Sequence, residues 1–178
     1  TEVAPFTVDL LLPSGAENLN YVLYTDESPY KMQRELVDRL PFDIYSVNVH
    51  TGAKRLIGRS YRTAPKWSVN GKWAVMYDPI AQVWNKFDGA TGKVVNISDA
   101  IGYPMFMESY DKPAPAPAYG IAGWTADGNN VFLYDAYDWW KIDLTGERQP
   151  ECLTKGYGRK HGKSIRKMTS NIDKDVFQ

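Results

Sequence analysis

Residues 67–78 read WSVNGKWAVMYD, and residues 124–135 read WTADGNNVFLYD. Both copies contain a tryptophan, a small hydroxyl residue, an Asn or Asp before glycine, and an apolar stretch that ends in Tyr-Asp. A repeated supersecondary unit is typical of architectures that stack similar units side by side. The repeat therefore predicts a stack of like β-sheets and points away from a self-contained catalytic domain.

The repeat extends into a second shared phrase at residues 84–92 and 139–146. Both copies contain Trp, any residue, Lys, an apolar residue and Asp, and Thr-Gly follows after a short gap. Asn70-Gly71 and Asp127-Gly128 predict type I′ turns between antiparallel strands, because these residues tolerate the positive φ that both central positions need. The Thr-Gly pair predicts the next turn. Each unit is then a meander of four strands, which is the size of one β-propeller blade.

The central strands at residues 73–77 and 131–134 consist of apolar and aromatic residues throughout, so both of their faces are apolar. A strand with one solvated face would alternate between apolar and polar residues. We therefore expect each sheet to be covered on both sides, as blades are when they pack against each other.

These patterns predict an all-β fold, a partial β-propeller of about three four-stranded antiparallel blades with one short helical insertion. We expect a single domain over residues 1–178, with blades at roughly 18–58, 62–98 and 119–154 and the start of a further blade at 162–178. The apolar spacing within residues 31–40 predicts the short helix, which Pro41 ends. Alternating prolines predict an extended, partly polyproline loop at residues 99–118.

Charge and hydropathy narrow the function classes. The chain has 21 Lys and Arg against 21 Asp and Glu, so its formal net charge is zero, whereas a general nucleic-acid binder normally carries a basic excess. No apolar run approaches the 18 residues of a membrane span. The sequence starts at Thr1 instead of Met, and we expect it to be a processed or excised piece of a longer chain.

The residues that catalysis or metal binding would need are not arranged for either. A serine-hydrolase elbow requires Gly-x-Ser-x-Gly, and the stretches around Ser60 and Ser164 both lack the second glycine. His50, His161 and Cys152 together would still leave a zinc ion one ligand short. The aspartates that recur with the blade are expected to form turns. We therefore predict no catalytic residue, no cofactor and no metal site.

At these residues the chain resembles a known group. The two tryptophan phrases look like the repeat of TolB-type β-propellers. The run YDAYDWWKID at residues 134–143, followed by CLTKGYGRK at 152–160, resembles the propeller that precedes the hydrolase domain in prolyl-oligopeptidase-family serine peptidases, of the dipeptidyl or acylaminoacyl peptidase kind. The resemblance covers residues 20–167. It is to the propeller alone, so no catalytic residue can be carried over.

In that family the propeller is a lid and filter over an α/β-hydrolase domain. The resemblance thus implies a non-catalytic propeller portion of a serine peptidase, gating or positioning peptide substrate for a downstream hydrolase domain that this chain lacks. It also implies a periplasmic or otherwise exported location. The alternative is a TolB-like protein-interaction scaffold without enzymatic activity. A third reading is carbohydrate binding through exposed tryptophans, although blade packing accounts for most of their positions.

The insertion at residues 99–118 is the expected partner-facing loop, because long loops on rigid scaffolds commonly carry function. Within it, we expect Glu108 and Asp111 to meet the amino group of a peptide. The basic cluster at 159–167 could hold phosphate groups. With little aromatic interleaving on a neutral chain, it is interpreted as a solvated loop or the start of a further blade. Propellers usually have four to eight blades, so three would leave open faces, and we expect self-association through them.

Overall fold

The computed structural model describes residues 8–11, 19–33, 40–167 and 176–177, and within them the strands form three sheets. The first blade is a meander of β1 (Val8–Leu11), β2 (Tyr21–Asp26), β3 (Phe42–Asn48) and β4 (Lys54–Tyr61). The second is a meander of β5 (Lys66–Trp67), β6 (Trp73–Asp78), β7 (Val83–Asp88) and β8 (Val94–Asn96). The third comprises β9 (Ile121–Thr125), β10 (Asn130–Tyr134), β11 (Trp139–Asp143) and β12 (Glu151–Cys152).

The all-β prediction with three four-stranded antiparallel meanders is confirmed, and the third sheet has one addition. A short strand, β13 (Val176–Phe177), pairs with β9 in the parallel sense and makes this sheet five-stranded. The first sheet begins at Val8, ahead of the residue 18 at which we expected the first blade to start. The single-domain assignment and the start of a further blade within residues 162–178 stay predictions.

In the described residues, helical structure is limited to short segments. The 3₁₀ helix Ser28–Gln33 overlaps the helix predicted within residues 31–40 only at residues 31–33, and residues 34–39 of that prediction lie outside the described residues. The insertion at residues 99–118 opens with a second 3₁₀ helix, Asp99–Ile101, and then runs without strands apart from the single bridge between Phe106 and Ala118. One α-helix, α1 (Tyr157–His161), follows the third blade.

The middle strand β6 shows why both faces of a blade are apolar. Ala74 and Met76 lie in one core cluster with residues of the first blade such as Leu23. Val75 and Tyr77 point the other way, into a cluster shared with the third blade. These four side chains are all buried. The sheets therefore pack face to face, which is the arrangement of adjacent propeller blades, and the prediction that each sheet is covered on both sides is confirmed for β6.

Neighbouring blades are also joined by hydrogen bonds that involve their turns. Asn70, in the first turn of the second blade, donates its side-chain N–H to the carbonyl of Asp127, 2.8 Å away in the matching turn of the third blade. Between the first two blades, the backbone N–H groups of Asn20 and Tyr21 both donate to the carbonyl of Gly89, at 3.1 and 3.0 Å. These bonds fix how far one blade is rotated relative to the next.

The turn that opens each repeat differs from the predicted type I′ form. Gly71 has a φ of 66°, but Asn70 is not among the described residues with positive φ. The N–H of Gly71 donates to the carbonyl of Ser68, so the turn is centred one residue earlier than predicted. Side chains explain the change, because the Ser68 hydroxyl accepts the N–H of Trp73 and the Asn70 side-chain oxygen accepts that of Lys72. The third blade repeats this with Thr125, Asp127 and Gly128.

We predict that Gly128→Ala destabilises the protein more than Gly102→Ala. Both glycines have positive φ, at 68° and 72°, so each alanine incurs the left-handed strain of about 1 kcal/mol. A Cβ on Gly128 would also lie 2.6 Å from the Asn70 side chain and 2.8 Å from its backbone nitrogen, whereas one on Gly102 meets nothing within 4 Å. We expect about 2 kcal/mol or more for Gly128→Ala in urea unfolding. Equal losses would mean that this blade joint is not tightly packed.

Candidate functional site

Three aspartates lie at the end of the second strand of their blades or directly after it, and each forms the turn that follows. They are Asp26, Asp78 and Asp135. The Oδ1 atom accepts the backbone N–H two residues later, which belongs to Ser28 at 2.8 Å, Ile80 at 2.9 Å and Tyr137 at 2.7 Å. The predicted turn role of the recurring aspartates is therefore confirmed for Asp78 and Asp135, and Asp26 shares it.

Asp135 differs from its two counterparts in the partners of its second oxygen. Its Oδ2 accepts the indole N–H of Trp140 and a guanidinium N–H of Arg159, each at 3.0 Å. The side chain of Asp135 is completely buried, while that of Arg159 is 30% exposed. One end of this ion pair thus lies in the core of the third blade, and the other reaches solvent.

Burial works to raise the pKa of Asp135, but its hydrogen bonds work against this. The N–H groups of Asp138 and Tyr137, the Trp140 indole and the Arg159 guanidinium all stabilise the charged carboxylate, and the pKa of Asp135 lies below its usual value. Asp135 is therefore ionised at neutral pH and holds Arg159 in a fixed position.

A second buried carboxylate, Asp138, ties the segment after β12 to the third blade. Its Oδ1 accepts the Thr154 hydroxyl at 2.6 Å and the N–H of Gly158 at 2.8 Å, and its Oδ2 accepts the N–H of Arg159 at 3.0 Å. A side chain at Gly158 would collide with the carbonyl of Tyr137, 2.6 Å from an ideal Cβ. Both the backbone and the side chain of Arg159 are therefore positioned by buried aspartates.

The Arg159 guanidinium also links the insertion to the third blade. It lies 3.9 Å from the centre of the Tyr103 ring, which comes from the insertion, and 5.1 Å from that of Tyr137. Tyr103 in turn packs against Trp140, with 5.9 Å between ring centres. Cation–π contacts of this kind are favourable, most of all where the cation is partly desolvated.

Beside this cluster lies an open cavity of about 420 Å³, which we call the basic groove. It is lined by Tyr103, Asp138, Trp140, Cys152, Gly156, Arg159 and Lys160. Tyr103 is 45% exposed and Lys160 is exposed, while Asp138 and Trp140 are buried. The groove therefore offers cations and aromatic rings to a ligand, and its carboxylate is already engaged by the protein.

The basic cluster at residues 159–167 is only partly the solvated loop that we expected. Arg166 donates to the backbone carbonyl of Asp135 at 2.8 Å and lies over the Tyr134 ring. The N–H of Ile165 donates to the Tyr137 carbonyl, and the Ile165 carbonyl accepts the indole N–H of Trp139. The segment follows the end of the third blade and provides partners for these turn and indole groups. Lys160 and Lys163 are exposed to solvent.

The predicted contact residues Glu108 and Asp111 are exposed in the outer part of the insertion, and neither lines the basic groove. The insertion instead supplies Tyr103. Sequence reasoning missed both Tyr103 and Arg159, although Arg159 lies within the run that carries the family resemblance. That Glu108 and Asp111 meet a peptide amino group stays a prediction.

The tryptophans do not form an exposed binding surface. Trp84, Trp124 and Trp140 are buried, and the other three are half-buried. This removes the support for carbohydrate binding through exposed tryptophans. In the part of the chain that the structure describes, no group of three or more His, Cys, Asp and Glu is arranged to hold a metal ion. Nor does any described helix have the length and apolar character that crossing a bilayer requires.

We predict that Asp135→Asn costs about 3 kcal/mol of folding free energy, because the amide leaves Arg159 and the buried site without their negative partner. Asp78→Asn is the matched control. Its carboxylate accepts the same kind of turn N–H groups, from Ile80 and Ala81, and it also hydrogen-bonds the Tyr61 side chain, a contact that an amide can keep. The change should therefore cost about 1 kcal/mol or less. Urea unfolding measures both, and equal losses would contradict the role given to the ion pair.

The same carboxylate predicts a pH dependence. A pKa that is lower in the folded than in the unfolded protein adds stability above the unfolded value of about 4, and this stability is lost as the pH falls through the folded value. Urea midpoints of the natural chain should therefore fall below about pH 4 more steeply than those of Asp135→Asn. Parallel curves would show that Asp135 contributes no such stabilisation.

No protein-family model matches the chain, and no curated protein sequence matches it. Among solved structures, it is similar to the β-propeller domain of the trilobed protease from Pyrococcus furiosus, with a TM-score of 0.41 and 15% identity over 82% of this chain and 43% of that one. It is also similar to an acylaminoacyl peptidase, with a TM-score of 0.39 and 15% identity over 85% of this chain and 26% of that one. The chain spans less than half the length of either.

Proposed function

We propose that this chain is the non-catalytic propeller portion of a prolyl-oligopeptidase-like serine peptidase. In this proposal it gates or positions peptide substrate for a hydrolase domain of the same parent chain. The observation that supports a binding role most directly is the basic groove, which is lined by Arg159 and Lys160. The buried carboxylates of Asp135 and Asp138 hold Arg159 in position, and both accept hydrogen bonds from the protein.

The hydroxyl and imidazole groups support the non-catalytic part of the proposal. Nucleophilic serine catalysis needs a base within hydrogen-bond reach of the hydroxyl. The Ser164 hydroxyl donates to the carbonyl of Ala136, His50 contacts Asn20, and the His161 ring packs on Tyr157. In the described ranges no hydrogen bond joins a serine to a histidine.

A TolB-like interaction scaffold is the second candidate, and the open basic groove favours it equally, because a groove that binds peptide needs no hydrolase beside it. Self-association through the outer blade faces stays a prediction. Those faces are apolar, but their residues Val22 and Tyr24 on the first blade and Phe132 and Tyr134 on the third are at most 9% exposed.

The proposal predicts how a fluorophosphonate probe, which labels activated serines, reacts. The chain of residues 1–178 should remain unlabelled, and Ser60→Ala and Ser164→Ala variants should behave identically to it. The parent protein should be labelled at a serine within a Gly-x-Ser-x-Gly sequence outside these residues. Mass spectrometry of the labelled peptide identifies the site. Labelling inside residues 1–178 would refute the non-catalytic assignment, and an unlabelled parent would favour the scaffold.

A further inference from the structure

The basic groove has a composition that the proposed gating role does not explain. Its lining combines the cationic side chains of Arg159 and Lys160 with the rings of Tyr103 and Trp140. Tyr103 is 45% exposed, whereas Trp140 is buried. Such a pairing of fixed cation and aromatic surface is typical of sites that orient a ligand by one charged group.

Arg159 retains hydrogen-bonding capacity for a ligand. To the residues that the structure describes, its side chain donates one hydrogen bond, from Nη2 to Asp135. A guanidinium has five N–H donors in a planar arrangement that matches a carboxylate. The bond to Asp135 and the stacking on Tyr103 and Tyr137 fix this plane in advance, which lowers the entropy that a ligand would otherwise lose on binding.

The charge around the groove favours an anionic ligand. Residues 151–167 contain six Lys and Arg and one Glu, in a chain whose formal net charge is zero. Lys160 lines the groove and is exposed, and the lining carboxylate of Asp138 is buried under three protein donors. An acidic group approaching the groove therefore meets cations first.

A carboxylate fits this environment better than a phosphate. Asp135 and Asp138 are buried beside Arg159 and add two negative charges, which repel a dianion more than a monoanion. A carboxylate on a peptide also brings an apolar stem and backbone, for which the Tyr103 and Trp140 rings and the Cys152 side chain provide contact surface. We propose that the basic groove binds an acidic peptide segment, with Arg159 and Lys160 facing its carboxylate and Tyr103 lying against its apolar part.

This inference does not depend on a peptidase parent, because binding is measured on the chain itself. The probes are two fluorescent hexapeptides, acetylated and amidated at their ends, of which one carries two Glu residues and the other two Gln at the same positions. In fluorescence anisotropy the Glu peptide should bind about tenfold more tightly, since a hydrogen bond to a charged group contributes about 1.5 kcal/mol. Its affinity should also fall as salt is added.

Lys160→Gln should weaken binding of the Glu peptide about threefold, as expected for a solvent-exposed charge pair. The matched control is Lys163→Gln, which removes the same charge from an exposed position of the same segment outside the groove and should leave the affinity nearly unchanged. Tyr103→Leu should weaken the binding of both peptides, because it removes an aromatic ring from the lining of the groove. Circular dichroism confirms that each variant is folded.

Three outcomes would overturn the proposal. Equal affinity for the Glu and Gln peptides would show that no carboxylate is recognised. Equal effects of Lys160→Gln and Lys163→Gln would show that binding follows the overall charge of the segment and not the groove. Displacement of the Glu peptide by inorganic phosphate at matched ionic strength, but not by acetate, would make the groove a phosphate site.

Discussion

The structure depends on the burial of both faces of thin β-sheets. A four-stranded meander has too little interior to bury its own apolar residues, so each sheet uses its neighbour as the other half of a core. The middle strand β6 shows the constraint most clearly, since Ala74 and Met76 belong to one core and Val75 and Tyr77 to the next. Burying a side chain such as Met76 stabilises the fold by about 2 kcal/mol, and here the stabilisation belongs to two blades at once.

The candidate site is a local variation on this repeated frame. Each blade needs an Asx turn after its second strand, and Asp26, Asp78 and Asp135 form it in the same way. In the third blade, the second carboxylate oxygen of Asp135 accepts hydrogen bonds from Trp140 and Arg159. A residue required for the fold thereby also positions a partly exposed cation at the surface, beside the loop that joins the second and third blades.

Much of the fold could be predicted from the sequence, because strand number and two-sided burial follow from local patterns. The predicted turn was wrong because backbone N–H groups donate to the Ser68 and Asn70 side chains, and these bonds, which do not follow from a dipeptide rule, stabilise a different loop. The site could not be predicted, since Tyr103 and Arg159 are far apart in sequence and meet only through the path of the insertion. Charge and a position in a long loop pointed to Glu108 and Asp111 instead.

Native-state hydrogen exchange tests the shared core most directly. Amides of the central strands β2, β6 and β10 report the free energy of opening in each blade separately. If the blades stabilise one another, Met76→Ala should lower the protection of β2 and β10 as well as β6, by about 2 to 4 kcal/mol. Loss of protection confined to β6, with β2 and β10 unchanged, would show that each sheet is stable alone and would contradict the account.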